Sequence, residues 1–261
     1  MNPVATNPES VVGKILYATA MTAFGVECLV FSEFVTGLQP VPASATQALP
    51  WAWVNGIFLI LAGLSLLVKP TARIGALSLA GLFLLSVLLF HLPLLLANLA
   101  FQADDSFHAL AVVTGAVILA AQSRESPPKG GAWDRLLDRG GQLGRIGFGL
   151  CSIGHGAMHF VFFKFTADFI PAWIPQHEFW AAATGVAQIA AGLAILGRVL
   201  ARLAAILLGV MYCSWVLIVH LPRVMASPTS HIEWTSIFIA LSLSATALLV
   251  AGYCKETQRT A

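Results

Sequence analysis

Charge is scarce in this chain. Its 261 residues hold 14 Lys or Arg and 12 Asp or Glu, too few to cover a water-facing surface, which excludes an ordinary soluble domain. The net charge of +2 is too small to argue for nucleic acid as a partner. Four cysteines occur without a Cys-x-x-Cys spacing, which argues against thiol–disulfide exchange. No Gly-rich phosphate cradle and no nucleophile–base pair of recognisable spacing is present. The start, MNPVATNPES, has no basic region ahead of a short apolar core. The first apolar run is also too long for a cleaved signal, so it is expected to stay attached as a helix. Period-two alternation is missing as well, which leaves helices rather than barrel strands as the elements that cross a bilayer.

What is present is apolar length. Hydrophobic residues make up 58% of the chain. Runs at 12–36, 51–68, 73–96, 106–122, 144–165, 180–196, 201–221 and 234–252 approach the roughly 20 residues that span a hydrocarbon core. The predicted fold is an all-α integral membrane protein with eight transmembrane helices in a lipid bilayer. Lys69, Arg73, Arg198, Arg202 and the linker bases Arg124, Lys129, Arg135 and Arg139 fall in alternate connections, joined by Lys255 and Arg259 at the C-terminus. The other connections carry Asp104, Asp105, Asp168, Glu178 and Glu233, with Lys164 and Arg223 as the basic exceptions. By the positive-inside rule both termini and the linker are expected in the cytoplasm, and the bacterial inner membrane is the expected location.

The sequence repeats itself. LLFHLPLLLAN and LIVHLPRVMAS place His-Leu-Pro at the end of two long apolar runs, with His91 and His220 129 positions apart. The same shift puts Trp51 on Trp180, Gly56 on Gly185, Ala62-Gly63-Leu64 on Ala191-Gly192-Leu193 and Ala72-Arg73 on Ala201-Arg202. A shift of 131 puts Gly25 on Gly156, Val30 on Val161 and Pro40 on Pro171. The predicted organisation is a first four-helix unit at 1–122, a cytoplasmic linker with an interfacial helical turn at 123–142, and a second unit at 143–261. An even number of spans keeps both copies in one orientation, related by an axis along the membrane normal. Gly56, Gly63, Gly185 and Gly192 are expected at helix contacts, where small residues allow backbones to approach. Trp173, Phe179 and Trp180 are expected to anchor the outer loop at headgroup level.

The second copy reads GHGAMHFVFFKF, then FIPAWIPQHEFWAAATGVAQIAAGLAIL, then a basic turn and a Leu-rich helix ending in His-Leu-Pro. This resembles the DoxX-like superfamily of four-helix membrane proteins, which includes small subunits of terminal quinol oxidases and MauE-type maturation proteins. The features are the Gly-rich first helix, Pro171-x-Trp173-x-Pro175, Thr184-Gly185 and Ala191-Gly192-Leu193. The resemblance covers most of 147–252 and, more weakly, 12–121. It implies association with respiratory or thiol redox systems and with other subunits of a membrane redox complex. Where the family often carries an acidic residue after Thr-Gly, this chain has Gln188, and Leu59 in the first copy.

All seven histidines fall at the midplane or on the outer side of this topology. Cys151, His155 and His159 recur every four residues, which puts them on one helix face with a drift of about 40° per step. Ionisable groups at membrane depth face a cavity, a partner or a ligand. The matching helix of the first copy carries Glu27 and Cys28, with Glu33 nearer the outer surface. Two chemistries remain open. Cys151, His155 and His159, with Met158 on an adjacent face, would suit copper, or haem iron with two axial His. A quinone would need donors to its carbonyl oxygens and a proton acceptor, roles open to His159, His220 and Glu27. The expected site is a polar pocket lined by His159 and His220 with Glu27 and His155, and His91 marks the corresponding position in the first copy. The functional reading is a redox-associated membrane subunit contacting quinone or metal, or else a non-enzymatic assembly, binding or transport protein for a lipid, quinone or metal ion.

Overall fold

The computed structural model describes residues 7–41, 49–97, 99–123 and 131–260. Among them every regular element is helical: α1 (Pro8–Phe31), α2 (Leu49–Ser65), α3 (Lys69–Ala97), α4 (Leu99–Gln122), α5 (Ala132–Val161), α6 (Phe163–Phe169), α7 (His177–Gly197), α8 (Ala201–Ala226) and α9 (His231–Thr260). Six of these, α1, α3, α4, α7, α8 and α9, are long and apolar enough to cross a membrane, and α5 with α6 makes a seventh if the bent pair is one span. The apolar α2 has 17 residues and is shorter. Leu61, Ile74, Leu96, Leu143, Phe165, Leu193 and Leu207 each expose half or more of their surface. An apolar exterior of this extent calls for a lipid solvent.

Two segment boundaries differ from the sequence-based expectation. The piece AWDRLLDR is not a separate interfacial turn but the start of α5, which runs unbroken from Ala132 to Val161. Gly140 and Gly141 do not break it because the helix packs closely there: a Cβ on Gly141 would lie 2.6 Å from the Tyr253 ring. Arg124 and Lys129 lie outside the described residues. At its other end α5 stops at Phe162 and the chain turns through 94° into α6.

His-Leu-Pro, expected to end the third and seventh spans, instead lies inside them. Both helices widen into one π-helical stretch, at Val87–His91 and Val216–His220, and then continue to Ala97 and Ala226. Pro93 and Pro222 supply the reason. A proline has no N–H and its ring clashes with the carbonyl four residues back. The ladder therefore shifts by one residue, so that Leu92 N–H reaches Val87 O and Leu221 N–H reaches Val216 O. The proline widens the helix without ending it.

The mostly buried α4 and α9 sit at the centre. A Cβ on Gly115 of α4 would lie 2.5 Å from Oγ1 of Thr246 on α9. Against this pair, α1 packs on α9 and α5 packs on α4, so each half of the chain leans on the last helix of the other. The outer faces of α1 and α5 receive α2 and α7. A Cβ on Gly25 would fall 2.5 Å from Gly56 O and 2.6 Å from Cγ1 of Ile60, and one on Gly156 would fall 2.6 Å from Gly185 O and 2.7 Å from Cγ1 of Ile189. Two turns further, Gly63 meets Thr22 and the Ala18 carbonyl, while Gly192 meets Ile153 and the Gly149 carbonyl. All four glycines expected at helix contacts are found there.

The two ends of the bundle differ in charge. At one end Glu9 pairs with Arg202 and with Lys255, and Asn7 Nδ2 donates to Gly252 O. There too the buried Arg145 donates from a guanidinium nitrogen to Ile195 O, and to Leu196 O at 3.4 Å, covering carbonyls that the end of α7 leaves without helical partners. At the opposite end Arg223 forms a fork with Glu233, Nε to Oε2 at 2.9 Å and a terminal nitrogen to Oε1 at 2.7 Å. The histidines described below all lie toward that second end.

Candidate functional site

Where α5 crosses α4, three side chains with metal-ligand chemistry converge. Asp104 and His108 are four residues apart on α4 and so share a helix face. His155 reaches them from α5. One donor atom from each of the three lies within 4.8 Å of the others, and this is the only such group of three or more His, Cys, Asp or Glu among the described residues. The His108 and His155 rings face each other with centroids 4.6 Å apart and a 31° tilt. Phe107 meets His155 edge to face at 6.0 Å. Gly154 makes room for that ring, since a Cβ there would lie 2.5 Å from Phe107 Cζ.

The hydrogen bonding of the cluster is incomplete. His155 is 4% exposed, and neither of its ring nitrogens has a hydrogen-bond partner. Nδ1 of His108 is buried without a partner, as is Nδ1 of His220. The His220 ring has Phe169 at 6.5 Å between centroids, and Arg223 is stacked 3.9 Å above the Phe169 ring. A buried polar atom without a partner costs about 1–3 kcal/mol.

His159 and His91, by contrast, have settled partners. His159 Nδ1 donates to Ala181 O at 3.1 Å, so Nε2 accepts from Gln188 Nε2 at 2.9 Å, and Gln188 Oε1 accepts from Tyr212 at 2.9 Å. Trp215 stacks on the His159 ring at 5.7 Å. His159 is thus held by α7 and α8. Cys151 is buried two turns from His159, and the structure does not gather Cys151, His155 and His159 as one ligand set. His91 is 1% exposed; its Nε2 donates to Leu38 O at 3.1 Å and its Nδ1 accepts from Ser106 Oγ at 3.4 Å.

Glu27 does not join the imidazoles of α5. It faces α9, with Oε1 2.7 Å from Nε2 of His231 and hydrogen-bonded by the Thr235 hydroxyl. His231 Nδ1 lies 2.9 Å from the exposed Glu33, and Phe31 stacks on the ring at 4.8 Å. The single pocket expected from the sequence is therefore two places, one at α4–α5 and one at α1–α9. Asp104 and His108 are the residues that sequence reasoning missed as ligands, and their spacing of four was the available signal.

These two places invite comparison. Phe24 meets Phe238 edge to face at 5.9 Å in the α1–α9 contact, as His155 meets Phe107 in the α4–α5 contact. A shift of 131 carries Phe24 to His155 and Phe107 to Phe238, and it carries Asp104 to Thr235 and His108 to Ile239. At these matched positions the α1–α9 contact holds Phe24, Thr235 and Ile239 where the α4–α5 contact holds His155, Asp104 and His108.

Fold and site define a helical protein of membrane type with a two-histidine, one-carboxylate cluster in which His155 is buried and Asp104 and His108 are half-buried. Residues 149–252, from α5 into α9, match a family model described as a domain of unknown function, DUF8561. No curated protein and no solved structure matches the chain. The matched segment contains His155, His159 and His220 and leaves out Asp104 and His108.

Proposed function

We propose that this chain is a binding or accessory protein of the membrane that holds a ligand, without turnover of its own, in the histidine-lined site between α4 and α5. The observation that carries the reading is His155, an imidazole buried with both nitrogens unpartnered at a position whose counterpart, Phe24, is plainly hydrophobic. Membrane interiors tolerate such groups where they meet a ligand, a partner or a water-filled cavity. Association with a respiratory or thiol redox complex is what the DoxX-like resemblance adds. A quinone carbonyl is a ligand that the free imidazole nitrogens would suit.

The proposed architecture is a tandem duplication with eight spans. Its support is the matched contacts of Gly25 and Gly156, the paired π-helical stretches and the extent of the DUF8561 match, which is close to one unit. On this reading α2 is a span of about 25 Å, short enough to require local thinning of the bilayer. Both termini are cytoplasmic and the site is in the outer half of a bacterial inner membrane. The support is charge: Lys69, Arg73, Arg135, Arg139, Arg198, Arg202 and Lys255 gather toward the end that holds the termini. Single cysteines introduced at Arg135 and at Trp173 are expected to be labelled by impermeant maleimide from opposite sides, Trp173 from outside. Labelling of both from one side would end the topology.

A site retained for binding rather than folding makes a stability prediction. The triple variant Asp104→Thr, His108→Ile, His155→Phe installs the residues of the α1–α9 contact. It is expected to melt in detergent at or above the temperature of chelator-stripped, delipidated wild type, because each unpartnered imidazole nitrogen it removes carries a penalty of about 1–3 kcal/mol, whereas a bound ligand would raise the wild-type temperature. A markedly lower melting temperature would assign the cluster to the fold and sink the binding reading.

A further inference from the structure

We propose that Asp104, His108 and His155 are the protein ligands of a divalent first-row transition ion at the α4–α5 crossing. This rests on the reading of that site as a binding site and names its ligand. A metal centre of this kind needs convergent donors, a rigid frame, and donor atoms that surrender no existing bonds when the ion arrives.

The convergence is already close. Donor atoms around an ion with bonds of about 2.0–2.2 Å stand about 3.3 Å apart in a tetrahedral shell. The three donors here lie within 4.8 Å of one another, so closure needs a contraction of about 1.5 Å at most, which side-chain rotation supplies. Asp104 and His108 are presented together by one face of α4, in the same i, i+4 manner that pairs metal-binding histidines on helices. The frame is tight. Gly144 and Gly147 bring α5 against Thr114 of α4, and Gly154 lies flat on Phe107.

The cost of ligation is small. The facing rings of His108 and His155, tilted by 31°, must turn to aim nitrogens at a common point. His155 breaks no hydrogen bond in turning, and His108 Nδ1 has none to break. An ion would bind one nitrogen of each imidazole and so satisfy one of the two orphaned nitrogens of His155.

Donor chemistry selects the ion. Two imidazoles and a carboxylate are borderline ligands, suited to Zn²⁺ or to Fe²⁺ in a two-histidine, one-carboxylate arrangement. Ca²⁺ and Mg²⁺ require oxygen-rich shells. Cu⁺ prefers thiolate and thioether, and the sulfur of Cys151 lies outside the group of donors. The copper and haem chemistry expected from Cys151, His155 and His159 gives way to a nitrogen and oxygen site.

The test uses untagged full-length protein purified in detergent, stripped with a chelator, and titrated with Co²⁺ and with Zn²⁺. The expected result is one ion per chain, with a visible ligand-field spectrum for bound Co²⁺ that Zn²⁺ abolishes. Asp104→Asn, His108→Phe and His155→Phe are each expected to weaken binding at least tenfold, while Cys151→Ser leaves stoichiometry and spectrum in place. Absence of saturable binding at micromolar ion would overturn the proposal, as would binding that His108→Phe and His155→Phe leave unchanged. Loss in Cys151→Ser would assign the ion to other donors and overturn it too. Melting curves of the same variants keep loss of the ion separate from loss of the fold. A triple variant that melts normally in a protein that binds neither ion rejects the metal and leaves the binding reading standing.

Discussion

Leucine in place of Gly156 is expected to prevent the folded bundle from forming, and alanine there to lower its stability by about 2 kcal/mol. The cause is the approach of α5 to α7. The Cβ of even an alanine would sit 2.6 Å from the Gly185 carbonyl oxygen and 2.7 Å from Ile189 Cγ1. The first of those is backbone and cannot rotate away, so the helices must separate along their whole contact. In lipid, separation forfeits the van der Waals packing that holds helices together, with no hydrophobic gain to offset it. Gly81→Ala is the control, since nothing lies within 4 Å of its Cβ. Alanine there is expected to be neutral or slightly stabilising, by at most about 1 kcal/mol. Denaturation midpoints in detergent give the comparison. Gly25→Ala should fall within about 1 kcal/mol of Gly156→Ala, because a Cβ there meets the corresponding glycine carbonyl and isoleucine atoms at 2.5 and 2.6 Å. If Gly156→Leu denatured with the wild type, the α5–α7 approach described here would be wrong.

Those glycines were legible because a close helix contact leaves a local mark, a small residue repeated about two turns apart on an apolar helix. The apolar runs were legible for a similar reason, since length and hydropathy are properties of a single segment. The candidate site was not. Beginning the fourth run at 106 leaves Asp104 in a loop and His108 at a membrane boundary, whereas α4 starts at Leu99 and carries both on its shaft. More importantly, His155 meets α4 because each half of the chain leans on the last helix of the other. A single helix carries no record of which distant helix will cover its face. The spacing of Cys151, His155 and His159 defined a face correctly in outline, but the drift along it and the local partners of His159 divide it. His159 turns to Ala181 and Gln188 while His155 turns to His108. Gln188 joins the two helices around His159: its amide both donates to His159 and accepts from Tyr212, which a carboxylate cannot do.

The second large effect is expected at the α1–α9 contact, where His231→Leu should lower stability by about 3 kcal/mol or more. Glu27 is 3% exposed, and His231 stands 2.7 Å from its Oε1. Removing the imidazole leaves a buried carboxylate with Thr235 as its remaining hydrogen-bond partner and Oε2 still without one. Breaking a buried pair from one side costs about 3–5 kcal/mol, because the surviving charge keeps its desolvation penalty and loses its compensation. Glu27→Met should cost less. Methionine stands at the matching position of α5, Met158, and His231 would retain the exposed carboxylate of Glu33 at 2.9 Å from Nδ1. The double variant Glu27→Met, His231→Leu removes both charges together and is expected to recover most of what His231→Leu loses, since an apolar replacement of a buried pair is often neutral. A double-mutant cycle from detergent denaturation midpoints measures the coupling directly. Additive losses, with the double variant less stable than either single variant, would show that Glu27 and His231 do not compensate each other and that the α1–α9 contact is held by its apolar residues alone.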